Sequence, residues 1–530
     1  MEFNAHAELV LLAVLAAVAA LVALAPTLRV PYPILLVLGG LAMGFVPGVP
    51  AVTLPPQVVL VGVLPPLLYS SAFFTGLREL RQNVKPIALL ALGLVAATMV
   101  AVAAVAHLAI PGLGWSAAFV LGAVVAPTDA LAATTIARQL GVPRRIVSIV
   151  EGESLVNDAS ALVLYRAAVV AIVSGTFSLW DAGLRFVGSV AGGVAVGLAV
   201  GWIVAQVRIR LDNVPAEILI SLVTGYLAFI PAQTLHVSGV LAAVTAGVYL
   251  GWRSAELSTP EMRMQGTAVW NALVFVVNAL LFVLVGMQLN PILDELSGRS
   301  TAELVADAAL VTGTVIVVRL VWLAVGAYLP RSFVPWLRGH GEPKPWQQIA
   351  VLGWMGMRGA VSLAAALALP LETDAGNPFP GRELIIFVAF GVILGTLVIQ
   401  GLTLPGLIRV LGLEDDGLEA KEDNKARIYA AEAALARLDE LAAEDWVRED
   451  TAERMRGLYE FRRTRFAARF DGDDDGSIEM RSQNYQRLRR ELLEAERAAI
   501  VDLRRQRRIS DDVMHRIERD LDLEDTRLDV

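Results

Sequence analysis

The sequence predicts an all-α polytopic membrane protein of about thirteen transmembrane helices, built as inverted repeats with two broken helices and ending in a helical soluble tail. Three observations carry that prediction. Hydrophobic residues make up 56% of the 530 and charged residues only 18%. The charge is segregated, for apolar runs fill the chain to about Leu411 and Glu, Asp and Arg crowd the remainder. Two of the apolar runs are also interrupted beside a charged residue, one at Pro127 next to Asp129 and one in the glycine-rich stretch around Arg358.

A crossing takes about 20 apolar residues. On that basis the runs fall at roughly 7–25, 30–46, 57–75, 85–110, 115–138, 146–174, 183–206, 215–234, 236–252, 266–289, 302–329, 346–370 and 383–410. The first lacks the basic leader and small-residue cleavage site of a signal peptide, so it reads as a retained span. Runs longer than a bilayer requires imply tilt or a break. Alternate connections carry Arg29; Arg78, Arg81 and Lys85; Arg138, Arg144 and Arg145; Arg208 and Arg210; Arg253 and Arg263; Arg331, Arg338 and Lys344. The opposite set holds only Arg185, Arg299 and Arg382, fourteen basic residues against three. Basic loops stay in the cytoplasm, so the N-terminus is expected outside and the tail inside. The expected division is a transmembrane domain at residues 1–411 and a tail at 412–530.

Composition also excludes. The chain has no cysteine, hence no disulfide and no thiolate metal site. The net charge of -8 sits largely in the tail and gives no reason to expect nucleic acid. No phosphate loop, HEXXH pattern or nucleophile arrangement is present, so neither an enzyme nor a resident cofactor is expected.

The chemistry concentrates in three runs. The fifth contains Ala126-Pro127-Thr128-Asp129. A proline there removes a backbone hydrogen bond and clashes with the preceding turn, which predicts a break. The twelfth has its weak point at Gly353, Gly356 and Gly359 around Arg358. Two interrupted spans at corresponding places in two halves are the signature of an inverted-repeat transporter with its site at the midplane. Asp129 and Arg358 are placed to offset the partial charges of the half-helix ends. A plain proline kink and a glycine packing seam is the competing reading.

The sixth run holds Glu151-Gly152-Glu153-Ser154-Leu155-Val156-Asn157-Asp158. A carboxylate at membrane depth is costly and marks a functional site by default. Ser154 and Asp158 are four apart and share a helix face, with Glu153 and Asn157 on the neighbouring one. Carboxylate, hydroxyl and amide oxygens suit a small hard cation or a proton, and not copper or zinc. One carboxylate holds either ion but not both, which is the physical core of antiport. Arg319 stands alone in an apolar run and needs a carboxylate partner; Glu153 is the candidate, leaving Asp158 free. Asp158 salt-bridged to Arg166, Arg319 or Arg358 is the alternative. For His107, His236 and His340, isolated as they are, a structural role is preferred to pH sensing.

These residues resemble the first cation:proton antiporter family, the bacterial and eukaryotic sodium/proton exchangers. The matching elements are Ala126 to Asp129, the Gly152 to Asp158 box, the run Leu235 to Gly247, Arg319, and Gly356 to Ser362, in consistent order. The resemblance implies a homodimer of inverted six-span repeats. A transport core at about 85–174 and 302–410 would move like an elevator against a dimerisation scaffold at about 7–75 and 183–289. It implies Asp158 as the ion- and proton-binding carboxylate. Ser154, Thr128, Asp129 and Asn157 would assist, with sodium held by Asp158, Ser154, Asp129 and Thr128. It further implies Glu153 with Arg319 as a structural ion pair and Arg358 as the broken-helix charge. Asn157 in place of a second aspartate resembles the electroneutral exchangers, one cation per proton. The chain departs from some archaeal members, which carry a glutamate in the third span; here that span reads Tyr69-Ser70-Ser71, leaving the cation's access route and the preference for sodium over potassium open. The expected location is a bacterial plasma membrane, surrounded by lipid.

The tail reads as helix-forming over Lys425–Phe470 and Ile478–Leu521, parted by a polar break. Asp471, Asp473 and Asp475 match the start of an EF-hand loop, but Ser482 stands where the bidentate glutamate belongs, so calcium is disfavoured against a solvated linker. The leading expectation is antiport of sodium or lithium for protons. Potassium/proton exchange is the rival within the class; a cation channel and a membrane sensor are the rivals outside it.

Overall fold

The computed structural model describes residues 5–28, 30–46, 57–173, 179–296, 299–328, 346–413, 417–471 and 477–528. Every regular element among them is helical, with a single β-bridge between Glu372 and Pro378. The chain divides into two compact units, Met1–Glu414 and Asp415–Val530.

Among the described residues of the first unit eight helices are long and apolar enough to cross a membrane: Val84–Ala109, Trp115–Gln139, Arg144–Val173, Gly183–Arg208, Val214–Thr234, Pro260–Met287, Thr301–Ala327 and Arg382–Leu411. Shorter apolar helices cover Leu12–Leu28, Tyr32–Gly44, Val58–Phe74 and Gly239–Trp252. The twelfth expected run holds two short helices, Trp346–Trp354 and Ala360–Leu367. Burial separates the helices. Of the apolar window, 78% is enclosed in Trp115–Gln139 and 72% in Arg382–Leu411, against 44% or less in the other six. The first of these interior helices carries one chain interruption, and the second packs against the helix that follows the other.

Small residues set the helix spacing, as they do where lipid supplies no hydrophobic drive between helices. Gly40 lies against the backbone of Val283, and Gly286 lies against that of Val37, so Tyr32–Gly44 and Pro260–Met287 touch main chain to main chain. A Cβ added at Gly247 would stand 2.6 Å from the Tyr69 carbonyl oxygen, which brings Gly239–Trp252 equally close to Val58–Phe74.

Two π-helical turns, Val58–Val63 and Leu89–Leu94, were not foreseen. The wider turn exposes a carbonyl to an outside donor, and Ser160 donates its hydroxyl to Ala91 at 2.5 Å.

Among its described residues the second unit has four helices where the sequence indicated two: Leu418–Leu441, Glu449–Asp471, Ser477–Arg505 and Asp511–Leu528. Each half of the tail folds back on itself. Arg507 takes a left-handed backbone, with φ of 57°, just past the third helix, and the Ser510 hydroxyl caps the fourth. Arg497 then reaches Asp522 at 2.8 Å and Asp525 at 3.1 Å across the antiparallel pair. Asp473 and Asp475, like Arg29, Arg331, Arg338, His340 and Lys344, lie outside the described residues, as does the side chain of Asp471.

Candidate functional site

The Trp115–Val125 helix ends where Pro127 withdraws its N–H, and Ala130–Gln139 begins with Asp129 as its cap. The Asp129 carboxylate accepts from the Leu131 N–H at 2.8 Å. The second interruption lies between Trp354 and Ala360. Its glycines make room: a Cβ at Gly356 would collide with the Arg319 side chain, and one at Gly359 with the Asp129 carboxylate.

The two non-helical stretches bond to each other. The Asp129 N–H donates to the Met357 carbonyl at 2.8 Å, and the Arg358 guanidinium donates to the Ala126 carbonyl. The Arg358 N–H is held by the Thr396 hydroxyl at 3.1 Å. Arg358, 0% exposed, thus places its charge at the C-terminal, electronegative end of a half-helix.

Beside this crossing runs Arg144–Val173. Glu153 and Arg319, each 1% exposed, form a two-pronged ion pair with contacts of 2.5 and 2.9 Å. The free side of the guanidinium donates to the Leu352 carbonyl at 3.1 Å. Glu153 also accepts from the Thr128 hydroxyl at 2.9 Å, and Thr128 in turn accepts from the Asn157 amide at 2.6 Å. Ser154 donates to the Thr128 carbonyl at 3.1 Å. The interrupted strand at Thr128 is therefore fastened to the helix by three consecutive polar contacts.

Asp158 is different. It is 7% exposed, and its carboxylate makes no hydrogen bond or ion pair with the described residues. It lines a cavity of about 420 Å³ together with Thr128, Asp129 and Ser154. Asn157, grouped with these by sequence, faces Thr128 behind the wall instead. None of the three arginines weighed as partners reaches Asp158: Arg319 is taken by Glu153, Arg358 by Ala126, and Arg166 is exposed.

The far wall of the cavity comes from Ser70, in the third span already singled out for the access route, and from Tyr32, Asn271 and Asn278, which sequence reasoning passed over. Asn271 and Asn278 are seven apart in an apolar run, two turns on one face, and that spacing was the available signal. Arg138 and Glu151, also in the lining, pair at 2.6 Å. His107 donates from Nδ1 to the Leu113 carbonyl at 2.9 Å and packs on Trp115.

Residues 12–410 match the sequence profile of the family described as "Sodium/hydrogen exchanger, transmembrane". The chain belongs to this family. An uncharacterized sodium/proton exchanger of Mycobacterium tuberculosis is 37% identical over 525 residues, covering 98% of this chain and 96% of its own. A Bacillus subtilis protein named as a sodium, potassium, lithium and rubidium/proton antiporter is 32% identical over 388 residues, 71% of this chain and 57% of its own. Among solved structures, the sodium/proton antiporter of Methanocaldococcus jannaschii superposes with a TM-score of 0.59 at 18% identity, covering 77% of this chain and all of its own. The exchanger is thus a multi-pass membrane protein of that fold.

Proposed function

We propose that this exchanger moves sodium or lithium against protons, one for one, with both ions competing for Asp158. The observation that carries the reading is a carboxylate at membrane depth, open to a cavity and without a partner among the described residues. Leaving a buried charge uncompensated is costly, so Asp158 needs a proton or a cation.

The charges support the stoichiometry. Around the crossing stand three carboxylates, Asp129, Glu153 and Asp158, and two guanidiniums, Arg319 and Arg358. The balance is one negative charge, and a single proton or a single monovalent cation removes it. Either loaded form is neutral and able to cross; the empty form carries its charge and stays. Ser154 and Asp129 supply oxygens beside Asp158, and Thr128 keeps one lone pair after accepting from Asn157. Glu153 with Arg319 holds the site's shape, and Arg358 screens the half-helix end.

We read alternation as elevator movement of the core, about 85–174 and 302–410, against a scaffold, about 7–75 and 183–289, in a homodimer of the plasma membrane. The N-terminus would be outside and the tail, residues 412–530, cytoplasmic and regulatory. Thirteen spans in inverted repeats, with the crossing at their broken helices, belong to the same reading. Potassium/proton exchange is the second reading, favoured by the breadth of cations in the Bacillus subtilis relative's name.

The test is proton flux in proteoliposomes under an imposed pH gradient, with sodium, lithium or potassium added in turn, for wild type and Asp158→Asn. Collapse of the gradient by sodium or lithium in wild type alone is the expected result. Cation-driven flux that survives the substitution removes Asp158 from the mechanism, and collapse by potassium with no response to sodium selects the second reading.

A further inference from the structure

The cavity that holds Asp158 is charged from its mouth to its floor. Among the described residues that line it, the charged ones are Asp129, Arg138, Glu151 and Asp158. Glu151, Ser154 and Asp158 follow one another at spacings of three and four residues, so they climb one face of the Arg144–Val173 helix. At 1.5 Å per residue, Glu151 and Asp158 are about 10.5 Å apart along the axis. The two ends differ in exposure. Asp158 is 7% exposed, whereas the side chain of Glu151 is 20% exposed and that of Arg138, its partner at 2.6 Å, is 66% exposed. Arg138 also ends the Ala130–Gln139 helix, next to the basic connection with Arg144 and Arg145. The mouth of the cavity is therefore at the Arg138–Glu151 pair, and Asp158 lies two helical turns deeper.

We propose that Glu151 is the entry carboxylate of the exchange cycle: it takes the incoming cation at the mouth as Arg138 swings away, and passes it by Ser154 to Asp158. An ion pair so exposed holds its partners weakly, and the long arginine stem lets the guanidinium reach water without moving the helix. Ser154 gives its proton to the Thr128 carbonyl at 3.1 Å, which leaves the lone pairs of its oxygen for a passing cation. The third span offers Ser70 and Ser71 to the lining and no acid, so the route begins on the helix that carries Asp158. When the cation has moved inward, Arg138 returns to Glu151 and the mouth is neutral again, which keeps the entry carboxylate from trapping the ion. Glu151 serves this way only if Asp158 is the exchange carboxylate, so the inference rests on that reading.

The experiment is cation-driven proton flux in proteoliposomes at fixed pH, with choline chloride making up the ionic strength. The proteins are wild type, Glu151→Gln, Arg138→Gln and the double variant, each also followed by thermal unfolding. The slope kcat/KM for the cation is read at ionic strengths of about 10 and about 150 mM, between which the screening length falls from about 30 to about 8 Å. At low ionic strength Glu151→Gln should lower kcat/KM by about threefold or more, the scale of one charge acting over this distance. Arg138→Gln, which frees the carboxylate, should raise kcat/KM, a gain that misfolding does not produce. The double variant has the net charge of wild type but no entry carboxylate, and should fall below wild type. All three changes should shrink at high ionic strength, with kcat little altered. Losses in both single variants together with lowered unfolding midpoints mark a structural pair and overturn the proposal, as does a double variant equal to wild type. Wild-type protein that shows no cation-driven flux overturns the exchange reading and this inference with it; normal wild-type flux with unchanged Glu151→Gln overturns this inference alone.

Discussion

Removing one partner of the Glu153–Arg319 pair should be among the most damaging single changes in the membrane unit. Both side chains are 1% exposed and bonded through two prongs. Arg319→Met leaves Glu153 ionised and buried with only the Thr128 hydroxyl to solvate it, a loss of about 3–5 kcal/mol. Glu153→Gln leaves the guanidinium with the Leu352 carbonyl and costs a similar amount. The double variant Glu153→Gln/Arg319→Met removes both charges while the glutamine side-chain oxygen still accepts from Thr128, so its loss should be about 1–2 kcal/mol, the size of one or two neutral hydrogen bonds. The sum of the single losses should exceed the double loss by several kcal/mol, far beyond the few tenths expected of independent sites. Reversible unfolding in mixed micelles, followed by helical circular dichroism, measures all three. Losses that simply add would refute the claim that the pair acts as one buried unit.

Gly359→Ala puts a methyl group on the Asp129 carboxylate; we expect the half-saturating cation concentration to rise at least tenfold, about 1.4 kcal/mol, read from flux against cation concentration. With one excess negative charge at the site, wild-type exchange should not respond to membrane potential, and flux that tracks an imposed potassium diffusion potential would falsify the one-for-one stoichiometry. Arg138→Ala, at a pair whose arginine is largely exposed, should change stability by less than about 1 kcal/mol, while any effect on cation affinity should fade as salt rises. Truncation after Glu414, at the boundary between the two compact units, should shift the pH profile of flux and leave its cation order unchanged; an unaltered profile counts against a regulatory tail.

What was legible in the sequence was what solvent and covalent geometry impose. Lipid leaves no choice but continuous apolar helices, so runs such as 383–410 could be outlined within a few residues of Arg382–Leu411. Pro127 has no N–H to donate, which located the first interruption before any contact was known. Arg319 in an apolar run had to find an acid, and few acids lay at that depth. The rest depended on long-range placement. Nothing local to Asp129 indicates that its N–H meets Met357, or that Gly359 is small because the Asp129 carboxylate occupies the space of its side chain. The π-turn at Leu89–Leu94 has no propensity signal, and the turn at Arg507 interrupts a segment whose composition favours helix throughout.

The same distinction explains why Asn157 was grouped with the cavity. Spacing puts it on the face next to Asp158, but whether it meets the cavity or the protein depends on where the interrupted strand lies, and Thr128 lies across it. That contact changes what the residue can do. Asn157 holds Thr128, Thr128 holds Glu153, and Glu153 neutralises Arg319, so one chain of contacts spends the polar groups around Asp158 on each other. Among the described residues Asp158 has no partner, and the donors of Thr128, Ser154 and Asn157 are already engaged. A substitution at Asn157 should therefore act first on the position of Thr128, through the cation's affinity, and only through that on exchange.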